Sequence, residues 1–325
     1  MRTDDKPLVA IYCLVYNHEP YLRDCFEGFV MQKTNFRFVA VVHEDVSTDK
    51  SAAIIREYAD KYPEIFRPIY ETENQYSKQD GSLYRIMNAA IDTTGAKYIA
   101  MCEGDDYWTD PYKLQKQIDW LESHSDCSMC VHAAMWEIGE EKLPQGCQYK
   151  KDCDLSTEEI IENGGLYIAM ASTIYRKDSF LVGDERPSWW KMADVGDYPL
   201  HIYAALIGKV RFMPEPMCVY RFQHPGSWTY NQKKIRDIMH IKCEIAWMEL
   251  LDKETNYNYS DAIYNHLLNF YYLLYDEREL STRECYNKVS RSKKFSRTKF
   301  IKKLLKRTFR SLYKVYYMIK YRNIN

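Results

Sequence analysis

The stretch Lys97-Tyr98-Ile99-Ala100-Met101-Cys102-Glu103-Gly104-Asp105-Asp106 decides the fold class of this chain. Its first six residues are mostly apolar and predict a buried strand, and its last four contain three carboxylates. Like charges this close repel one another, so they persist best when a cation lies between them. Oxygen ligands suit Mg²⁺ or Mn²⁺, and Mg²⁺ is usually bound by one or two carboxylates together with substrate phosphates. The stretch therefore predicts a strand that ends at a site for a divalent cation and a diphosphate.

The first half of the chain alternates strand-like and helix-like segments. Apolar runs predict four strands, over residues 8–15, 36–42, 66–70 and 97–102. Helical spacing of apolar residues predicts three helices, over residues 20–32, 50–62 and 82–93. This order is typical of an α/β fold with a mainly parallel sheet flanked by helices. Ligands of such sheets bind outside the carboxyl ends of the strands, so we expect loops 16–17, 43–45 and 103–106 to converge.

The second half of the chain is more mixed. The expected elements are a surface insertion over 139–155, a strand over 167–175, a helix over 198–207 and strands over 210–213 and 217–222. From 233 to 276 the pattern is helical and aromatic. We predict three parts: a main domain of residues 1–230, a helical extension of residues 231–290 and a basic tail of residues 291–325.

Charge is segregated along the chain, although the formal net charge is only −1. The tail holds 13 Lys or Arg residues and no Asp or Glu. On a helix its apolar side chains would share one side, away from most of the cations. The apolar set is Ile301, Leu304, Leu305, Leu312, Val315, Tyr316 and Ile319. The tail therefore favours an anionic membrane surface as its partner, and we expect no nucleic-acid partner.

Composition also bears on the cellular compartment. The chain has ten cysteines and a polar N-terminus without the features of a signal peptide, which favours a reducing compartment. No apolar run reaches the roughly 18 to 20 residues that span a bilayer. We expect a cytoplasmic protein that lies peripherally on the inner face of the plasma membrane.

The strand ends and their neighbours carry a specific set of motifs. In order, these are Val15-Tyr16-Asn17-His18-Glu19, Met31-Gln32, Ser47-Thr48-Asp49, Gly95, Glu103-Gly104-Asp105-Asp106-Tyr107-Trp108 and Tyr220-Arg221. Over about residues 7–228 the chain resembles a family 2 glycosyltransferase of the GT-A fold, of the type that assembles bacterial polysaccharides and capsules. The resemblance implies a Rossmann-like, mixed, mainly parallel sheet with a helical C-terminal extension, and a nucleotide-sugar donor.

The resemblance also implies which residues bind the nucleotide. They are Tyr16, Asn17, Glu19, Glu44, Asp45, Arg85, Asn88, Glu103, Gly104 and Asp105. An acidic side chain such as Asp45 can accept a hydrogen bond from the uracil imide N–H, which favours UDP over a purine nucleotide. A guanidinium at Arg85 can offset phosphate charge through paired hydrogen bonds. Taken alone, Asn17 could be only a turn former and Ser47-Thr48-Asp49 only a helix cap.

The acidic cluster corresponds to the DxD-type motif with which the family holds a divalent cation, Mn²⁺ or Mg²⁺, on the diphosphate. Asp105 and Asp106 rank above Glu103 as ligands, because the family generally has Asp at the first position of the motif. His224 follows the last strand on a loop with Gly and Pro. Its imidazole could complete the metal shell, contact phosphate or be a packed side chain.

An inverting transfer needs a carboxylate that deprotonates the acceptor hydroxyl opposite the leaving nucleotide. The resemblance puts the catalytic acidic residue well after the DxD motif, which points to Asp197. Asp194, three residues earlier, is the competing carboxylate, and Asp197 could instead be only a helix cap.

Together these features predict an inverting glycosyltransferase that moves a sugar from UDP-hexose or UDP-N-acetylhexosamine to a lipid-linked saccharide in surface polysaccharide synthesis. One alternative is a sugar-nucleotidyltransferase, although the first loop lacks the Gly-rich, basic sequence expected of a triphosphate site. Another is a membrane-docking module that binds nucleotide sugars without catalysis.

Overall fold

The computed structural model describes residues 6–180, 186–222, 224, 238–305 and 307. Contacts divide the chain into two compact units. The first comprises Met1–Pro187 and Val195–Ile235, and the second comprises Ser188–Asp194 and Arg236–Asn325. The predicted boundary at residue 230 and most of the predicted tail helix, at 306 and 308–325, lie outside the described residues.

Four parallel strands form one side of the sheet in the first unit. They are β1 (Val9–Val15), β2 (Phe38–Glu44), β3 (Phe66–Tyr70) and β4 (Tyr98–Met101), in the order β3-β2-β1-β4. β1, β2 and β4 are buried almost throughout, which explains why their sequences are continuous apolar runs instead of alternating ones. The four strands expected in the first half are confirmed, each to within two residues at either end.

Three helices connect these strands, as predicted: α1 (Leu22–Val30), α2 (Ser51–Lys61) and α3 (Ser82–Thr94). The buried face of α1 carries Leu22, Phe26 and Phe29, at the spacing that places side chains on one side of a helix. Gly28 on α1 lies against β5 (Tyr107–Trp108): a Cβ at Gly28 would be 2.9 Å from the backbone N of Trp108. The missing side chain therefore lets this helix approach the strand that follows the acidic cluster.

The other side of the sheet mixes strand directions. β9 (Ile174–Arg176) lies between β4 and β6 (Cys127–Ile138) and is antiparallel to both. β6 pairs in parallel with β10 (Lys209–Arg221), and β10 pairs antiparallel with β5. Most paired residues lie in parallel ladders, so the predicted mixed, mainly parallel sheet is confirmed.

Two segments differ from expectation. The exposed region 139–155, expected to be an insertion, contains β7 (Glu141–Gln145) and β8 (Cys153–Leu155), which pair with β6 and β10. Residues 167–175, expected to be a strand, contain the 3-10 turn Met170–Ser172 before the short β9. β7 has a polar sequence that no local pattern marks as a strand, so its pairing with β6 decides its conformation.

The remaining elements of the first unit are α4 (Lys113–Ser123), α5 (Thr157–Asn163) and α7 (Asp197–Ile207). The helix predicted over 198–207 is confirmed by α7. The two strands predicted over 210–213 and 217–222 form the single strand β10, whose register against β6 shifts between Met213 and Cys218. Pro214 and Pro216 lie in this irregular part, where they interrupt no regular ladder.

The second unit is helical and aromatic, as the sequence indicates. It contains α6 (Ser188–Lys191), α8 (Ile238–Glu254), α9 (Ser260–Asp276) and α10 (Thr282–Val289), and residues 297–305 are also helical. In its interior the indole N–H of Trp247 donates to Glu244 Oε2 at 2.9 Å, and Nε2 of His266 lies 3.0 Å from Glu244 Oε1. Within the described part of the chain, no helix has the length and apolar content to cross a membrane.

Candidate active site

The loops after β1, β2 and β4 lie side by side at the carboxyl edge of the sheet. The register of the ladder pairs Val15 with Glu44. The backbone N–H of Asp45 donates to Val15 O at 3.1 Å, and that of Gly104 donates to Leu14 O at 3.0 Å. The strand ends that were expected to converge are therefore neighbours.

The first two loops are joined by hydrogen bonds. Asn17, with a left-handed φ of 57°, accepts a bond from Thr48 N through Oδ1 at 2.7 Å. The backbone N–H of Asn17 donates to Ser47 Oγ at 3.0 Å, and that of Glu19 donates to Asp49 Oδ2 at 2.9 Å. Asn17 and Glu19, which were expected to bind nucleotide, thus hold the two loops together, and their nucleotide contacts stay a prediction. We name this set of bonds, over residues 17–19 and 47–51, the loop clasp.

The paired acids at the end of β2 are also occupied by backbone groups. Glu44 Oε2 accepts from Val46 N at 3.2 Å, and Val46 has a positive φ of 63°. Asp45 is only 4% exposed, and its two oxygens accept from Gln75 N at 2.6 Å and Tyr76 N at 3.0 Å. A uracil imide would have to share these oxygens with the loop after β3. The nucleotide contacts of Glu44 and Asp45 stay predictions.

Three other predicted nucleotide contacts differ in exposure. The guanidinium of Arg85 on α3 donates to Asp80 O at 2.8 Å and is mostly exposed. Asn88 donates through Nδ2 to Tyr84 O, whereas its Oδ1 is buried without a hydrogen-bond partner among the described residues. Tyr16 is 48% exposed at the end of β1. Asn88 Oδ1 is the atom of this group that most needs a donor from a ligand.

The three carboxylates of the acidic cluster have unlike surroundings. Asp106 is 1% exposed and accepts a hydrogen bond from Arg221 N at 3.0 Å. Burial, and then the charge of Asp105, raises the pKa of Asp106 well above its ordinary value. Burial, followed by Asp105 and Asp197, raises the pKa of Glu103 to about 8. Of the three, Asp105 is the one whose surroundings favour the charged form.

Two imidazoles face the carboxylate of Asp105. Its Oδ2 lies 3.0 Å from His224 Nε2 and 3.9 Å from His18 Nε2. Burial alone would raise the pKa of Asp105, but these two histidines more than offset it and the pKa lies below its usual value. Burial lowers the pKa of His18. Asp105 is therefore the carboxylate on which both imidazoles converge.

The donors of this cluster suit a divalent cation. Within the described ranges, no three His, Cys, Asp or Glu side chains are already arranged as a metal-binding group. Oδ1 of Asp105 is nevertheless buried and has no hydrogen-bond partner there, and a cation would satisfy it. Carboxylate and imidazole are ligand types that Mn²⁺ accepts, and carboxylate is typical for Mg²⁺. Asp105, Asp106 and His224 thus fit the cation that the sequence predicts, and their role as ligands stays a prediction.

Arg221, at the end of β10, binds the backbone of the acidic cluster and two nearby carboxylates. Its Nη1 donates to Asp105 O at 2.9 Å and its Nε to Glu137 Oε1 at 3.0 Å. The guanidinium also contacts Asp24 on α1. The sequence motif Tyr220-Arg221 assigns no role to the arginine, and the signal that could indicate one is its position at the end of an apolar strand.

The two candidate bases belong to different units. Asp197 lies at the start of α7 in the first unit. Burial raises the pKa of Glu103 and of Tyr84, and the nearby charge of Asp197 raises both further. Asp194 belongs to the second unit, and its Oδ2 lies 2.5 Å from His240 Nδ1. Asp197 therefore shares a unit with the acidic cluster, and its role as base stays a prediction.

Sequence comparison relates the chain to known proteins. Residues 11–182 match the family model described as glycosyl transferase family 2. An uncharacterised protein of Mycobacterium tuberculosis is 32% identical over 224 residues, which cover 68% of this chain and 60% of that protein. EpsH of Bacillus subtilis, named as a glycosyltransferase, is 29% identical over 133 residues, 41% of this chain and 36% of that protein. The chain thus spans about 60% of the length of its mycobacterial relative.

Solved structures share the fold. S. aureus TarS 1-349 in complex with UDP-GlcNAc superposes with a TM-score of 0.57 at 14% identity, over 86% of this chain and 74% of that one. The mannosyltransferase PcManGT from Pyrobaculum calidifontis, in complex with GDP-Man and Mn²⁺, gives 0.52 at 13% identity, over 85% and 76%. This likeness confirms the predicted GT-A fold. Because the family model also matches just over half of its residues, the chain belongs to glycosyl transferase family 2.

Proposed function

We propose that this protein is an inverting, metal-dependent glycosyltransferase. It moves a hexose or N-acetylhexosamine from a UDP donor to a lipid-linked saccharide in surface polysaccharide synthesis. The observation that carries the proposal is the meeting of three strand-end loops beside Asp105, whose carboxylate faces two imidazoles. Family membership supports glycosyl transfer as the reaction class.

In the proposed reaction, Asp197 accepts the proton of an acceptor hydroxyl. The acceptor oxygen bonds to the anomeric carbon on the face opposite UDP. The bond from that carbon to the diphosphate oxygen breaks, and UDP leaves with the bonding electrons. A divalent cation, when bound by Asp105, Asp106 and His224, neutralises the charge that develops on the diphosphate. Arg221 holds the backbone of the acidic cluster in place through Asp105 O.

The choice of UDP rests on the acids at the end of β2, which can accept from the uracil imide N–H. TarS supports it, since this protein of similar fold was crystallised with UDP-GlcNAc. PcManGT was crystallised with GDP-Man, which makes GDP-mannose the donor to test against UDP-sugars. The same complex contains Mn²⁺ and supports a divalent cation in the site.

The proposed acceptor is anchored in a membrane, and the protein works at the inner face of the plasma membrane. The reason is the basic tail, in which 13 cations occur between residues 291 and 325 without an acid. Cations of this kind are attracted to anionic lipids, by about 1 kcal/mol for each one near the surface.

The test is a panel of donors measured with the full chain. UDP-glucose, UDP-galactose, their N-acetylhexosamine counterparts, GDP-mannose and a CMP-sugar are compared with Mn²⁺, with Mg²⁺ and with EDTA. We expect one or more UDP-sugars to raise the melting temperature and to release UDP slowly, in both cases only with a divalent cation. A response to GDP- or CMP-sugars alone would refute the uracil argument.

The same panel separates the alternatives. A sugar-nucleotidyltransferase would release pyrophosphate from UTP and a sugar 1-phosphate. A binding module without catalysis would be stabilised by a UDP-sugar and Mn²⁺ but would release no UDP from any donor.

A further inference from the structure

His18 follows β1 and lies against the acidic cluster, although no nucleotide or metal role was expected for it. Its backbone N–H donates to the buried Ser51 Oγ at 2.9 Å, so the loop clasp fixes its backbone. Its ring packs on Gly104, where an added Cβ would lie only 2.8 Å from His18 Nδ1. The side chain is thus placed by the loop clasp and by a glycine of the acidic cluster.

The ring nitrogens of His18 lack the hydrogen bonds of a structural histidine. Nδ1 is buried without a partner among the described residues, and Nε2 is 3.9 Å from Asp105 Oδ2, too far for a hydrogen bond. The buried His132 on β6 has one such contact, with its Nδ1 2.8 Å from Ala133 O, while its Nε2 has no partner among the described residues. An imidazole whose Nδ1 is buried without a partner and whose Nε2 faces a carboxylate has a ring nitrogen available for a ligand.

Two imidazoles therefore approach one oxygen of Asp105. His224 Nε2 lies 3.0 Å from Oδ2, close to the separation of about 3 Å that neighbouring ligands have around a small divalent cation. His18 Nε2 lies 3.9 Å from the same atom on the side of the first loop. Oδ1 of the same carboxylate is buried without a partner within the described residues. These groups come from three separate segments of the chain.

We propose that His18 Nε2 is an additional ligand of the divalent cation, so that two imidazoles join Asp105 and Asp106 in binding it and Mn²⁺ is preferred over Mg²⁺. This inference rests on the proposed metal-dependent function. The preference follows from ligand type, because imidazole suits transition metals whereas Mg²⁺ favours carboxylate, carbonyl and water. A role in packing alone would leave the ring without influence on cation choice.

The first test is Mn²⁺ affinity, measured by the EPR signal of free Mn²⁺ with UDP present and without any acceptor. The variants are His18→Gln and, as a matched control, His124→Gln, whose ring stacks on Trp120 away from the acidic cluster. We expect His18→Gln to weaken Mn²⁺ binding by at least about 10-fold and to narrow the preference over Mg²⁺ in competition. Unchanged affinity and unchanged preference in folded His18→Gln would overturn the proposal.

The second test does not depend on the stability of a His18 variant. Electron spin-echo modulation from imidazole nitrogen is recorded on Mn²⁺ bound to the His224→Gln protein. Modulation that persists supports His18 as a ligand, and its complete loss with Mn²⁺ still bound overturns the proposal.

The two proposals fail in different ways. If the wild-type protein binds neither cation, with or without UDP, metal dependence is refuted and this inference falls with it. If the wild-type protein binds Mn²⁺ and the folded His18→Gln protein binds it equally well with the same preference over Mg²⁺, only the present inference is refuted.

Discussion

Neighbouring carboxylates in the candidate active site are distinguished by their contacts, not by their residue type. Asp106 is bound to the backbone of Arg221, and Asp105 faces two histidines. Among the described residues the Glu103 carboxylate has neither kind of partner, and its pKa is raised to about 8, mainly by burial. Asp105 is therefore the anionic centre of the site.

The assignment of the base is tested by Asp197→Asn. This change removes the proton acceptor but keeps the shape of the side chain, so we expect at least a 100-fold loss of transfer with UDP affinity unchanged. Asp194→Asn tests the competing carboxylate in the same way, since Asp194 is three residues away and its Oδ2 lies beside His240 Nδ1. Turnover of Asp197→Asn within a few fold of wild type, measured as UDP release, would show that the base lies elsewhere.

Val46 is a β-branched residue with a left-handed backbone. That conformation costs a side chain of this kind about 1–2 kcal/mol, and glycine relieves it. We expect Val46→Gly to raise the free energy of unfolding by about 1 kcal/mol in urea titrations. Val39→Gly, at the second position of β2, should lower it by several kcal/mol because buried apolar surface is lost. A destabilised Val46→Gly protein would contradict strain at this position.

Lys113 is completely buried beside Trp108, and its amine donates to Gln117 Oε1 at 2.8 Å. Burial lowers its pKa to about 8 from 10.5. Between about pH 8 and 10.5 this amine is protonated in the unfolded chain but not in the folded one. Its contribution therefore makes the free energy of unfolding rise with pH, by up to about 3 kcal/mol.

The measurement is urea unfolding at pH 7.5 and 9.5 for the wild type and for Lys113→Met. The stability difference, wild type minus variant, should increase by about 2 kcal/mol between these pH values. Lys116→Met on the same helix controls for the loss of a lysine. A difference that stays constant with pH would refute the lowered pKa.

At the scale of elements, α1 packs directly on β5, the strand that follows the acidic cluster. Gly28→Ala would place a Cβ 2.9 Å from Trp108 N and 3.1 Å from Trp108 O, both backbone atoms. We expect a loss of about 1–3 kcal/mol from overpacking, which exceeds the gain of up to about 1 kcal/mol from helix propensity. Thermal unfolding measures the sum, and a higher melting temperature would mean that the helix and strand can move apart at little cost.

Elements that depend on local pattern were predictable from the sequence. β1 to β4 are buried runs, and α1 has a one-sided apolar face, so their composition is sufficient to identify them. β7 and β8 lack such a pattern, and they exist because β6 and β10 offer edges to pair with. β8 pairs with a strand that is distant in the sequence, and β7 is polar. Local propensity therefore does not predict either pairing.

The same division applies to the site. That the ends of β1, β2 and β4 meet follows from parallel topology, so the loops could be predicted. The loop clasp could not, because a polar side chain such as Asn17 suits a turn, a nucleotide or another loop equally well. The approach of His18 to Asp105 was equally hidden, since 87 positions separate the two residues in the sequence.

At the scale of the whole molecule, some cations of the basic tail form ion pairs with acidic residues of the second unit. Lys293 Nζ lies 2.5 Å from Asp261 Oδ2, and Lys303 pairs with Asp276. Arg307 donates to Tyr275 O at 2.9 Å. Ile301 and Leu305 remain about half exposed. Residues 308–325 add four more cations, and these are the ones to test for membrane binding.

Removal of residues 308–325 should abolish sedimentation with phosphatidylserine vesicles in about 0.1 M salt, because four cations contribute about 1 kcal/mol each. Removal of residues 291–325 should also lower the melting temperature, since Phe300 is buried among Tyr275, Tyr286 and Phe295. Neutral phosphatidylcholine vesicles are the control, and sedimentation of the shorter deletion at the wild-type level would rule out the tail as anchor.

The loop clasp has a thermodynamic consequence for donor binding. Ordering a flexible loop costs roughly 1–2 kcal/mol of backbone conformational entropy for each residue fixed. Residues 17–19 and 47–51 are already fixed by bonds to one another, so a donor arriving there meets a surface that needs little further ordering. The free energy of its contacts is then available for affinity, and loosening the clasp should weaken donor binding through an unfavourable entropy change while the contacts themselves stay the same.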